Sequence, residues 1–218
     1  AIGQANARGD QPTTIILASG TYALSRQSDS TKSIEFTDPG LFAGGTSLSS
    51  DHVWTDNSSG DLDVLGKITL VGDSANTVVI DANGIDRAIK VHKNASLTLQ
   101  RLTVTGGVAP NDESGGGILS AGNLTLDQVV IRGNEAIGVN ANAGGGGVAI
   151  WNGTATIRDS RLTENQSDAG GGIYFANLST GEISGSTLDS NTATDFGGAV
   201  DAIASGQIDI LNSTLSLN

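Results

Sequence analysis

The most constraining feature of this chain is a spacing. Ile80, Val104, Ile131, Leu162, Leu188 and Leu215 recur 24, 27, 31, 26 and 27 residues apart. Three positions after each stands a corner residue: Asn83, Gly107, Asn134, Asn165, Asn191 and Asn218. A period of this size, kept through six units, signals a solenoid or another stacked array, in which each unit buries its apolar face only against its neighbours. Inside each unit the apolar residues alternate, so the segments are strands. Leu99, Leu126, Ile157, Ile183 and Ile210 fall in one column, and Leu97, Leu124, Ala155, Gly181 and Ile208 in a second. A second strand carries Leu102, Val129, Ser160, Ser186 and Ser213 just ahead of the aliphatic column. A third, led by glycines, carries Ile118, Val148, Ile173 and Val200, with Ile89 before them.

Three short strands in 24–31 residues predict an all-β fold, a right-handed, single-stranded parallel β-helix with a short N-terminal capping helix. A leucine-rich repeat needs a leucine-asparagine consensus, and a propeller blade needs antiparallel hairpins. The glycine runs 115–117, 145–147 and 170–172 then belong to corners, where the backbone takes positive φ or approaches a neighbouring coil closely. They are not phosphate loops, since the lysine of that motif is missing. Asn83, Asn134, Asn165, Asn191 and Asn218 are expected to form a structural ladder at another corner, with amide side chains bonding along the stack.

Three regions follow. Residues 1–24 read as the cap helix and first coil, 25–66 as a long Ser/Asp/Gly-rich insertion, and 67–218 as the regular coils. The phrase breaks off at STLSLN, which reads as a piece trimmed from something longer. Ile208, Ile210 and Leu215 are then left on an open apolar strand edge, which predicts pairing with more chain or self-association with another subunit through the C-terminal coil.

Composition narrows the function classes. The formal net charge is −12, and no basic footprint for nucleic acid is visible. No apolar run is long enough for a transmembrane helix. Cysteine is absent, so disulfides are impossible and the redox compartment is not readable from them.

The opening AIGQANA followed by TTIILASGTYALS resembles the start of the bacterial domain named for its CSLREA motif, immediately after that motif. GDLDVLGKITLVGDSANTVVIDANGIDRAIKV and LTLQRLTVTGG are similar to the first coils of the same family. The GGGI…LTL…N phrases resemble its β-helix repeats, which are also similar to those of polymorphic outer-membrane proteins and adhesin-like passengers. The resemblance implies a secreted or surface-displayed protein and transfers no catalytic residue. The CSLREA cysteine itself is missing here.

Two functional readings stay open. The first is an extracellular structural or adhesive β-helix, a rigid surface rod or fibre-forming subunit without catalysis, with glycans or cell-surface polysaccharide as partners. The second is a polysaccharide lyase or glycoside hydrolase on the same scaffold, which needs carboxylates gathered on one face. Arg132, Arg158, Arg161, Asp159 and Glu164 would line such a cleft, although alternating charges up a stack equally suit a solvated sheet face. In the insertion, Asp56, Ser58, Asp61 and Asp63 offer oxygen ligands for calcium around Gly60, or form an ordinary solvated loop. His52 and Trp54 offer a sugar-stacking platform, or Trp54 packs the insertion onto the coil.

Overall fold

The structure is a computed structural model of the 218-residue chain. It describes residues 2–8, 11–25, 60–110, 112–138 and 143–218, and the backbone of two short strands, Glu35–Phe36 and Asp51–His52, paired antiparallel. The chain is a parallel β-solenoid of about six turns. Two seven-stranded sheets and one six-stranded sheet run along it.

The first sheet holds the Leu99 column. Its register runs Ile15, Leu70, Leu99, Leu126, Ile157, Ile183, Ile210, each residue beside the next. The second sheet stacks Tyr22, Ile80, Val104, Ile131, Leu162, Leu188 and Leu215. The third stacks Leu62, Ile89, Ile118, Val148, Ile173 and Val200. Neighbours in space are therefore 24 to 31 residues apart in the regular coils, as the spacing predicts. Alternation sends Leu97, Leu99, Leu124, Leu126 and Ile157 inward, where they are buried. Each such side chain contributes about 1.5–3 kcal/mol when taken out of water.

The columns also explain their own irregularities. Gly181 interrupts the Leu97–Leu124 column because Phe175, fully buried, fills the space beside it. A Cβ on Gly181 would lie 2.6 Å from the Phe175 ring. From Leu99 onward the corner from first to second sheet is constant: Val104 stands five positions after Leu99, Ile131 five after Leu126 and Leu162 five after Ile157. Arg101, Gln128, Asp159, Gly185 and Asn212 take it in the left-handed region, at φ 46–59°.

Length varies between the second and third sheets, and there the structure departs from three strands per coil. A fourth sheet of three short strands, Glu135–Ala136, Gln166–Ala169 and Thr192–Phe196, runs along this side. It presses on the middle glycine of each glycine run. A Cβ on Gly116, Gly146 or Gly171 would stand 2.2–2.4 Å from a carbonyl oxygen of residue 135, 166 or 192. The glycines are thus required by close backbone approach.

The solenoid resumes after the insertion at Leu62–Val64, five residues before 67, where the regular coils were expected to begin. One helix, Ile2–Asn6, is present among the described residues. It buries Ala5 in the core, and Ile2 packs against it. Asn6 donates from Nδ2 to the Asp63 carbonyl at 2.7 Å and accepts at Oδ1 from the Leu65 amide at 3.0 Å. One side-chain amide thus supplies strand 62–64 with what a neighbouring strand would give it.

Candidate functional site

Four of the five expected ladder residues are joined in one chain of hydrogen bonds. Asn134, Asn165 and Asn191 each donate from Nδ2 to Oδ1 of the next asparagine, ending on Asn218, at 2.9–3.0 Å. Each also donates its main-chain N–H to the same oxygen at 3.1–3.2 Å. The second Nδ2 hydrogen of Asn165, Asn191 and Asn218 reaches back to a carbonyl of the preceding coil, at Ile131, Leu162 and Leu188. Gly107 enters as a donor, its N–H bonding Asn134 Oδ1 at 2.9 Å.

Asn83 stands apart from the ladder. In the later coils the left-handed residue precedes the asparagine, as at Gly133 (φ 59°), Glu164 (φ 57°) and Ser190 (φ 56°). In this coil it falls on Asn83 itself (φ 56°), followed by Gly84 (φ 67°). The turn is displaced by one residue, Asn83 is exposed, and its N–H bonds Asp81 Oδ1.

A second ladder lies at the opposite corner. Val129, Ser160 and Ser186 donate their N–H groups to Oγ of Ser160, Ser186 and Ser213, each at 3.1 Å. Each hydroxyl donates in turn to the carbonyl two residues earlier, at Arg158, Ser184 and Leu211. The sequence places these serines in one inward column without showing this relay; the signal is a small hydroxyl recurring where earlier coils have Leu102 and Val129. In both ladders the bonds onto the Asn Oδ1 and Ser Oγ atoms run one way, each coil donating to the next.

The strongest electrostatic feature is a buried cluster near the N-terminal end. Arg87 is 2% exposed; its Nε lies 2.8 Å from Asp61 Oδ2, its Nη2 pairs with Glu113, and its Nη1 donates to the Ser114 carbonyl at 2.7 Å. Burial alone would push the Arg87 guanidinium down, but Glu113, Asp61 and Asp86 together outweigh it and hold the charge. Burial pushes the Asp61 carboxyl up to about 7 against the pull of Arg87, and raises Asp86 in the same way. Sequence reading missed this cluster. Its signal is a break in a column: Asp86, Arg87 and Ala88 occupy the register held by Gly115, Gly116 and Gly117 one coil later. The connection from Ile80 to Ile89 is only nine residues long, so no fourth-sheet strand presses here and a long side chain fits.

Of the expected calcium ligands, Asp61 faces Arg87, and Asp63, buried, has Oδ1 2.6 Å from His92 Nε2. Asp56, Ser58 and Trp54 lie outside the described residues, and of His52 only the backbone strand is described. Among the described residues no three His, Cys, Asp or Glu side chains converge as a metal site would require. Asp127 lies beside Arg158, and Arg132 beside Thr163 and then Asp189. Arg161 binds Asp189 through Nε and Nη2, both at 2.8 Å, and these hydrogen bonds lower the Asp189 carboxyl below its usual range. Arg132, Arg158, Asp159 and Glu164 are all exposed.

The C-terminal coil exposes what the other coils bury. Ile183 and Leu188 are fully buried, whereas Ile210 and Leu215, one coil further in the same columns, are 40% and 44% exposed. Among the described residues no helix is long and apolar enough to cross a membrane. The chain matches no family profile, no characterised protein and no solved structure.

Proposed function

We propose that this chain is an extracellular structural protein, secreted or held at a cell surface, acting as a rigid adhesive rod or fibre subunit without catalysis. The resemblance to CSLREA-type surface β-helices points the same way. The observation that carries the reading is the pair of side-chain ladders running through the C-terminal half. Ladders of buried amides and hydroxyls fix each coil on the next, which suits a part that must keep its length and shape. The strand edge that carries Ile210 and Leu215 would pair with another copy or with further chain, and the long outer faces supply area for glycans or surface polysaccharide.

Electron microscopy with light scattering tests this reading. Rods that lengthen end to end with concentration are expected; a monodisperse monomer at every concentration would overturn the association. Polyuronates incubated with the protein and calcium are expected to gain no unsaturated ends, and their appearance would replace the rod with an enzyme.

A further inference from the structure

We infer that the outer face of the third sheet is a binding strip for an extended, neutral polysaccharide, built on the aromatic pair Trp151 and Tyr174. This rests on the reading above, in which the outer faces meet glycans, and adds which face does so and through which side chains.

The three outer faces differ in kind. Across the same three coils the first sheet turns Thr125, Thr156 and Glu182 outward, and the second turns Arg132, Thr163 and Asp189 outward. Both columns are polar, as water-facing columns should be. The third sheet turns Leu119, Ala149 and Tyr174 outward in one column, with Trp151 and Ala176 in the column beside it. Their strand neighbours Ile118, Ile150 and Phe175 point inward and are fully buried. The strip has further coils on both sides, at Lys90 and at Asp201, and still leaves Trp151 and Tyr174 partly exposed. Partly wetted Trp and Tyr, apolar in body and polar at one end, are the side chains that binding surfaces favour.

The ring centroids of Trp151 and Tyr174 lie 6.3 Å apart, with planes at 56°. A glycine makes room for Tyr174: a Cβ on Gly144 would lie 2.5 Å from its ring. Burial, and after it Asp201, raise the Tyr174 hydroxyl above its usual range, so it stays protonated and can both donate and accept. A pyranose carries an apolar C–H face that packs on such a ring and a rim of hydroxyls that such a group can bond. The two rings sit on adjacent coils, about 4.8 Å apart along the axis, a step close to the length of one sugar in an extended chain. The occupant therefore runs along the rod, one sugar per coil. Area and charge set aside the alternatives. Three coils by two columns is about 14 by 7 Å, roughly 100 Å², against about 800 Å² per partner for a stable protein interface. The net charge of −12, with Asp201 beside Tyr174, disfavours acidic chains and nucleic acid.

Affinity electrophoresis of the full chain through gels holding glucomannan or xyloglucan, with polygalacturonate as the acidic comparison, tests the strip. The unaltered chain is expected to be retarded by a neutral polymer and not by polygalacturonate. Trp151→Ala and Tyr174→Ala are each expected to raise the apparent Kd by about tenfold or more, equivalent to about 1.4 kcal/mol. Tyr174→Phe, which keeps the ring, should lose less, and Thr125→Ala on the first sheet should lose nothing. Should an alanine variant fail to fold, fluorescence gives a second reading: in a Trp54→Phe background Trp151 is the one tryptophan, and its emission should shift as the retarding polymer is added. Retardation that survives both alanine variants, or emission that does not shift, puts the glycan elsewhere; the inference falls and the adhesive reading stands. Retardation by polygalacturonate alone, or by neither neutral polymer, also overturns the inference, and rods seen by microscopy would then still uphold the reading it rests on.

Discussion

The first and last described coils differ in what covers them. At the N-terminal end the helix Ile2–Asn6 buries Ala5, and Asn6 satisfies the Asp63 carbonyl of strand 62–64 and the Leu65 amide just after it. At the C-terminal end Ile208, Ile210 and Leu215 close the inward columns with nothing over them among the described residues. The contrast shows that one coil does not make a core. Ile183 and Ile210 are register partners in the same column, yet only the one with a coil on both sides is dry. Stability in this molecule belongs to the joints between coils, as nearest-neighbour accounts of repeat proteins expect.

Interior and edge positions should therefore respond unequally to the same change. The largest effect is expected at Arg87, where Arg87→Ala would leave Asp61 buried without its cation and destabilise the fold by roughly 3–5 kcal/mol, read by denaturant melts. Asn191→Ala comes next. It strips Asn165 of the oxygen that accepts its N–H and Nδ2, and should cost about 2–3 kcal/mol. Asn218→Ala, in the same column at the open edge, should cost under about 1 kcal/mol because water replaces the lost partners. Equal losses at 191 and 218 would break the comparison. Asn6→Ala should cost about 1–2 kcal/mol and speed amide exchange in strand 62–64 above all others.

A separate expectation concerns pH dependence. The folded Asp61 carboxyl stands near 7, above its ordinary 3.8, because burial disfavours its charge. The folded state therefore holds a proton that the unfolded chain has released, and stability is fullest below about pH 4 and is lost as pH rises towards 7. Asp61→Asn should flatten that part of the stability curve. An unchanged slope would show that Arg87 holds Asp61 ionised in spite of burial.

Much of this architecture is legible in the sequence, and for a definite reason. A stacked fold turns sequence period into spatial adjacency, so Ile131, Leu162 and Leu188 announce their contact by spacing alone. What spacing does not announce is the direction of a backbone turn. Asn83 shares the column position of Asn134, but a one-residue shift in the left-handed residue turns it out to solvent. Arg101 and Gln128 hold the same left-handed corner as Asn212, with side chains that carry no such signature. The fourth sheet was hidden because Glu135–Ala136 has only two residues, and Gln166–Ala169 and Thr192–Phe196 carry no apolar alternation. Arg87 was hidden by its setting: within DANGIDRAI it reads as a turn, and only alignment against Gly116 marks it as a large cation in a glycine position.

The coil register itself can be read directly, because the chain has no cysteine to confuse the result. Thr125 and Thr156 are outward neighbours in adjacent strands, and Glu182 lies one coil further in the same column. Parallel neighbours stand about 4.8 Å apart, within disulfide range, whereas two coils span about 9.6 Å and fall outside it. A variant combining Thr125→Cys and Thr156→Cys should close a disulfide under mild oxidation, and one combining Thr125→Cys and Glu182→Cys should not. Failure of the first pair, or equal closure of both, would contradict the stacking.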